Sequence, residues 1–240
     1  MRGSLSVVGT GIKIAAQTSP EALAQIERAD KVFYLEADAL TRPWIEEVNP
    51  SAESLHALYG VGKDRRDTYE EMIERVLKCV RGGLAVCLVS YGHPGVFAYP
   101  MHESVRRARL EGFDAQMLPS ISSEDCLFAD LGVDPANDGC QTFEATDFLL
   151  SRRRFDTSSA LVLLQIGVIA ERGFKLERGA WNSKGVHVLR DVLLEHYPSD
   201  FKVTVYEAAC YACCDPLIQE VALSNLTGAA ISPISTLYIP

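Results

Sequence analysis

The sequence predicts a two-domain α/β fold. Strand and helix signals alternate from the amino terminus to Leu118, as a doubly wound sheet requires. Beyond Leu118-Pro119 the elements become fewer and more widely spaced. The 240 residues, 48% of them hydrophobic, supply core for one or two domains and argue against disorder.

The elements follow in order. Leu5–Val8 is an apolar strand, and Gly9-Thr10-Gly11 turns the chain after it. Ser19-Pro20-Glu21 starts a helix, with a capping serine, proline at the first helical position and then an acid; Leu23 and Ile26 face inward. Lys31–Leu35 is the next strand. Asp67 caps a helix whose Tyr69, Ile73, Val76 and Val80 form one stripe, and Gly82-Gly83 ends it. Leu84–Val89 is a strand, Met101–Glu111 a helix stopped by Gly112, and Phe113–Leu118 a strand. In the second half the signals are Ala160–Ile166, Gly185–His196, Val203–Glu207 and Ser235–Ile239. A boundary near Leu118–Ser122 divides residues 1–118, with the substrate and catalytic loop, from residues 119–240, which contribute to a cofactor site.

Charge and composition exclude several classes. The net charge is −9, and Arg152-Arg153-Arg154 reads as a solvated loop, so nucleic acid is not an expected partner. No apolar run approaches the ~20 residues of a membrane span, and no secretory signal opens the chain. A reduced, cytoplasmic location follows. Of seven cysteines, Cys79, Cys87 and Cys126 read as small core residues. Cys210, Cys213 and Cys214 include a CxxC spacing, but no second ligand pair accompanies it; a reduced, partly buried loop is expected, and no metal.

Two strand-end loops carry the chemistry. Tyr91-Gly-His-Pro-Gly-Val-Phe97 follows one strand, and Leu118-Pro-Ser-Ile-Ser-Ser-Glu-Asp-Cys-Leu-Phe-Ala-Asp-Leu131 follows another and opens a short helix. Open α/β sheets bind ligands at the carboxyl ends of their strands. Gly9-Thr10-Gly11 lacks the third glycine of a dinucleotide fingerprint, and the second strand ends without the expected acid, although Glu36 is near. It is a tight turn or a lining of the site.

The two loops together resemble the tetrapyrrole methylase superfamily, which binds S-adenosylmethionine. Within it, YGHPGVF, LPSISSEDCLFADLGVDP and FEATDFLL resemble the borosin α-N-methyltransferases, which methylate backbone amides of a precursor peptide. The resemblance spans nearly the whole chain and is densest from Tyr59 to Leu150. It implies a two-domain tetrapyrrole-methylase-like fold with a cofactor cleft between domains, and Gly9-Thr10-Gly11 lining that cleft. It implies cofactor contacts at Tyr91, His93, Val96, Phe97, Ser122, Ser123, Gln165, Tyr206, Ala208, Ser235 and Thr236. S-adenosylhomocysteine would be the product.

Tyr59, Arg65 and Tyr69 match the borosin pattern of tyrosine, arginine and tyrosine, and Tyr91 would orient the amide against the methyl group. A peptide nitrogen shares its lone pair with the carbonyl and must be activated. A neighbouring arginine favours phenolate, and Arg65 could also stabilise an imidate-like oxygen. In the plainer alternative, Tyr69 is only the first core position of its helix.

His56 stands where some fused borosins carry a further tyrosine, and the sequence stops at Pro240, where those members continue into a clasp-like region and a core peptide. The expectation is therefore a stand-alone or split enzyme, acting in trans on a separate precursor as a homodimer in a two-plus-two complex. The alternatives are a tetrapyrrole C-methyltransferase and a catalytically silent peptide-binding homologue.

Overall fold

The computed structural model describes residues 2–35, 40–60, 62–171 and 183–240. Glu36 lies outside the described residues. The chain forms two compact units: residues 1–123 with 210–214, and residues 124–209 with 215–240.

The first unit is a parallel sheet covered on both faces. Its elements are β1 (Ser4–Gly9), α1 (Pro20–Arg28), β2 (Lys31–Tyr34), α2 (Thr41–Val48), β3 (Glu53–Ser54), α3 (Arg65–Arg81), β4 (Ala85–Ser90), α4 (Tyr99–Leu110) and β5 (Asp114–Met117). The strand order is β3-β2-β4-β1-β5, and every pairing is parallel. Alternation sends Leu5, Val7, Phe33, Val86 and Leu88 to one core with Ile73, Val76 and Val80 of α3. The other face sends Val8, Val32, Tyr34, Cys87 and Val89 against Ala22 and Ile26 of α1. Strands buried on both faces read as continuous apolar runs, which is why β1 and β4 were conspicuous in the sequence.

Two local expectations change. Ala22 and Ile26 are the buried positions of α1, with Leu23 only half-buried. Asp64, not Asp67, caps α3: its side chain accepts the Arg66 N–H, and Asp67 lies in the first turn. Among the core cysteines, Cys87 is buried, whereas Cys79 and Cys126 are half-buried.

The second unit holds α5 (Ser123–Leu131), α6 (Pro135–Asp138), β6 (Cys140–Glu144), α7 (Ala145–Leu150), β7 (Ala160–Leu164), α8 (Ser183–Leu194), β8 (Lys202–Glu207), β9 (Leu217–Ala222) and β10 (Thr236–Ile239). Its sheet order is β6-β7-β10-β8-β9, with β6 and β7 parallel and the other pairings antiparallel. Leu161, Leu163, Val203, Val205 and Leu237 face Leu189 and Leu193 of α8. Val162, Leu164, Tyr206 and Tyr238 pack around Leu127 of α5. No described helix is long and apolar enough to cross a membrane.

Candidate functional site

The site is built from the start of α3 outward. Asp64 fixes where the helix begins, so Arg65 is its first residue and Tyr69 follows one turn later on the same face. Ahead of the cap, a 3₁₀ turn at His56–Leu58 delivers Tyr59, whose N–H donates to the His56 carbonyl at 3.0 Å. Lys63 donates to the Leu58 carbonyl at 3.0 Å and pairs with Glu71 at 2.6 Å, which ties this loop to the helix. Tyr91 is the first residue after β4. Tyr59 and Tyr69 are hydrogen-bonded, and Arg65 and Tyr91 lie close enough to both to act on them electrostatically. The structure thus brings together the four residues that the sequence singled out.

The electrostatics correct one expectation. Burial pushes the Tyr59 phenol above the ordinary tyrosine range; Tyr69 adds to the shift, and Arg65 opposes it without reversing it. Tyr59 therefore keeps its proton at neutral pH and is no phenolate. Tyr91 is also raised, first by burial, then by Tyr69 and Cys210, again against Arg65. As a whole residue Tyr91 is 47% exposed. The Tyr59 ring packs on His56 at 5.4 Å, and the Tyr69 ring lies 6.2 Å from Tyr99. Tyr69 is half-buried against the core and also lies beside Tyr59.

The loop after β4 is shaped from within. Gly95 N–H donates to His93 Nδ1 at 2.9 Å, which leaves Nε2 as the ring's donor. His102 Nε2 donates to the Gly95 carbonyl at 2.9 Å. Val96 and Phe97 are exposed, and Phe97 takes a left-handed backbone, φ 52°. Gly9-Thr10-Gly11 is stitched to this loop: Gly92 N–H donates to the Gly11 carbonyl at 2.8 Å. A Cβ on Gly9 would lie 2.2 Å from the Gly92 carbonyl oxygen, so glycine is required there. The tight turn of the sequence reading is thus a support for the loop that carries Tyr91 and His93.

In the same unit Ser122 is buried, and Ser123 begins α5 half-buried. The candidates of the second unit gather at strand ends. Gln165 follows β7 with a left-handed backbone, φ 60° and ψ 39°, a strained state for a residue other than glycine. Tyr206 is fully buried, and its hydroxyl donates to Asp130 at 2.6 Å. Ser235 is fully buried; its hydroxyl donates to Glu207 and accepts the Ser232 N–H at 2.7 Å. The Tyr206 and Ser235 side chains are thus committed to the fold. Ala208 is half-buried, and Thr236 starts β10 opposite Tyr206.

The sequence reading missed Cys210 beside Tyr91, because only the return of residues 210–214 to the first unit brings them together. Among the described residues, no group of three His, Cys, Asp or Glu side chains is arranged to hold a metal ion. Val96 and Phe97 present exposed apolar side chains beside a glycine-turned backbone, a surface that could meet the apolar part of a cofactor.

The comparisons bear on this geometry. Three solved structures share the fold. Uroporphyrin-III-C-methyltransferase from Thermus thermophilus matches with TM-score 0.71 at 18% identity, covering 100% of this chain and 92% of that one. Cobalt precorrin-4 methyltransferase matches with TM-score 0.68 at 16% identity, covering 98% and 93%. Diphthine synthase matches with TM-score 0.67 at 16% identity, covering 98% and 89%. Among curated relatives, the chain is 44% identical to the methyltransferase/ribosomally synthesized cyclic peptide dendrothelin A precursor of Dendrothele bispora, over 99% of the chain and 58% of the relative. It is 42% identical to the corresponding omphalotin A precursor of Omphalotus olearius, over 99% and 58%. It is 40% identical to a type I borosin cyclic peptide precursor of Coprinopsis marcescibilis, over 99% and 62%. The chain thus spans less than two thirds of the length of these relatives. The family profile of tetrapyrrole (corrin/porphyrin) methylases matches residues 4–218, most of the chain. The protein belongs to the tetrapyrrole methylase family, and its relatives are borosin-type methyltransferases.

Proposed function

We propose that this chain is an S-adenosylmethionine-dependent methyltransferase that N-methylates backbone amides of a separate precursor peptide. The observation that carries this reading is the convergence of Tyr59, Arg65, Tyr69 and Tyr91, three phenols and a guanidinium. When bound, the cofactor supplies an electrophilic methyl group on a sulfonium. In the first unit the residues assigned to its contact are Tyr91, His93, Val96, Phe97, Ser122 and Ser123.

The remaining task is to make an amide nitrogen nucleophilic. Arg65, always charged, donates N–H to the substrate carbonyl oxygen and stabilises the negative charge that develops there. Tyr59 retains its proton and donates to Tyr69. That hydrogen bond steadies the Tyr69 oxygen beside the amide N–H, and Tyr69 relays the proton, taking it from the amide nitrogen as its own hydroxyl proton passes to solvent. Tyr91 holds the amide in line with the methyl group. The same chemistry on a carboxyl-terminal extension is a second reading, favoured by relatives that run well beyond the matched region. We assign the enzyme to the cytoplasm.

The test is direct. Purified chain, S-adenosylmethionine and a synthetic precursor peptide are mixed, and the peptide is followed by mass spectrometry. Stepwise methylene mass increments located on backbone nitrogens are expected. Methylation within a longer chain that carries such an extension, with none of the separate peptide, would favour the extension reading. Methylation of a tetrapyrrole but of no peptide would replace both. No cofactor turnover with any substrate would leave a silent binding module.

A further inference from the structure

At the outer edge of the first sheet, α4 and β5 form an open groove of about 590 Å³. It is lined by His102, Val105, Arg106, Arg109 and Leu110 of α4 and by Met117 of β5. β5 is the last strand of its sheet and pairs only with β1 among the described residues. Just past β5, the Leu118 N–H donates to the Val7 carbonyl of β1 at 2.8 Å. Alternation along a parallel strand then turns the peptide groups of Ala115 and Met117 to the outer side. Arg109 agrees with that direction, because its Nε donates to the Ala115 carbonyl at 2.7 Å. The bond lays the guanidinium along the strand edge, and among the described residues Arg109 pairs with no carboxylate. Arg106 is held by Glu103 through two hydrogen bonds of 2.6 Å. The charged lining is thus basic, in a chain whose net charge is −9. Leu110 adds an apolar side chain that is 73% exposed. One end of the groove reaches Gly95: His102 Nε2 donates to its carbonyl at 2.9 Å, and a Cβ there would lie 3.2 Å from Met117 Sδ.

We propose that this groove docks an acidic polypeptide segment, which adds as a strand to the outer edge of β5. The Met117 N–H and carbonyl pair with its backbone. Charge selects the occupant. Arg109, fixed at Nε by Ala115, offers its terminal nitrogens to a carboxylate, in the forked geometry that a guanidinium provides. Arg106 contributes less, because Glu103 already occupies it. Alternate side chains of the added strand point into the groove, where Val105, Leu110 and Met117 receive small apolar groups. In the free protein, Arg109 guards an unpaired edge against indiscriminate pairing. An acidic partner turns that guard into a contact. Because the groove ends at Gly95, the docked segment lies against the loop that carries Tyr91 and His93. The docking itself does not depend on the methyl-transfer reading.

The experiment uses the full chain and a fluorescein-labelled peptide of alternating aspartate and valine, of ordinary strand length. Fluorescence anisotropy should show saturable binding. A peptide with lysine in place of aspartate should not bind, and one with proline in place of valine should not bind either, because proline removes the backbone donors. Arg109→Glu should weaken binding about tenfold or more, the loss of one charge-assisted contact. Arg154→Glu, which replaces an exposed arginine in a loop of the other unit, should leave it unchanged. A second measurement needs no variant: the peptide should slow hydrogen exchange at Met117 in the unaltered chain. It decides the matter should Arg109→Glu fail to fold. Absence of binding, equal binding of the lysine peptide, full affinity in a folded Arg109→Glu chain, or protection that spares Met117 would overturn the proposal. A dimer that Arg109→Glu dissolves, with no peptide bound, would place a second copy of the chain in the groove and overturn it equally.

Discussion

Arg65 and Tyr69 occupy one face at the start of α3, and their substitution separates chemistry from binding. Tyr69→Phe and Arg65→Ala should each lower methyl transfer by about 10²–10³-fold, the usual range for a lost proton acceptor or charge stabiliser. Affinity for S-adenosylmethionine, read by calorimetry, should change little. Near wild-type methylation in both would remove these residues from the mechanism. Tyr59, Arg65 and Tyr69 were legible because one short segment carries them. What the sequence did not show is which phenol keeps its proton. A neighbouring Arg65 favours phenolate, yet burial outweighs it at Tyr59, and burial is a property of the folded surroundings. Cys210 escaped for a related reason: its neighbour is set by chain return, not by spacing.

At the scale of elements, the cap of α3 links stability to the site. Asp64→Ala removes the acceptor of the Arg66 N–H and should cost about 1 kcal/mol in urea unfolding. It should also loosen the turn that presents Arg65, so methyl transfer should fall while the α3 core contacts persist. Asp64→Asn, which can still cap, should restore both; a stable but equally impaired Asn variant would separate the cap from the site. Two acids stand three residues apart at the start of this helix, and local pattern alone could not choose between Asp64 and Asp67. The buried strands β1, β4 and β7 were plain as apolar runs. β6 and β9 were not, because their half-buried and exposed positions carry no such run. α2, with Pro43 inside its first turn and no side-chain cap, likewise lacked a start signal.

The whole molecule answers to alkaline pH. Burial pushes the Cys87 thiol up to about 12 and raises the Tyr59 and Tyr206 phenols. For Tyr206, the hydrogen bond to Asp130 adds to burial. Each group binds its proton more tightly folded than unfolded, so the native state holds more protons once pH passes the unfolded values, roughly 8.5 for Cys and 10 for Tyr. Linkage then makes stability fall as pH rises. Urea unfolding should give a constant stability up to about pH 8 and a steady decline above it; a flat profile through pH 11 would contradict the raised values. Assembly is a second test at this scale. The loop before α3 is polar, holds Gly60 and Gly62, and bears catalytic candidates, so we expect a partner subunit to order it. Light scattering should show a homodimer, and a two-plus-two complex with precursor. A fully active monomer would refute that. The two-domain α/β class could be read from the alternation of signals. The division of the chain between the units could not, because nothing in the cysteine cluster at residues 210–214 says which unit it packs with.

That short return also governs how the protein can be dissected. A gene fragment ending at Ser123 would encode all five strands of the first sheet yet omit a strip of that unit's own packing surface. Such a half-protein should express poorly and recover when a synthetic peptide spanning the missing turn is supplied in solution. Cutting the gene between the two sheets is therefore the wrong place for a split reporter or a domain swap between relatives. A chimera must exchange both the long segment and the distant turn, or it will pair one parent's scaffold with the other's patch.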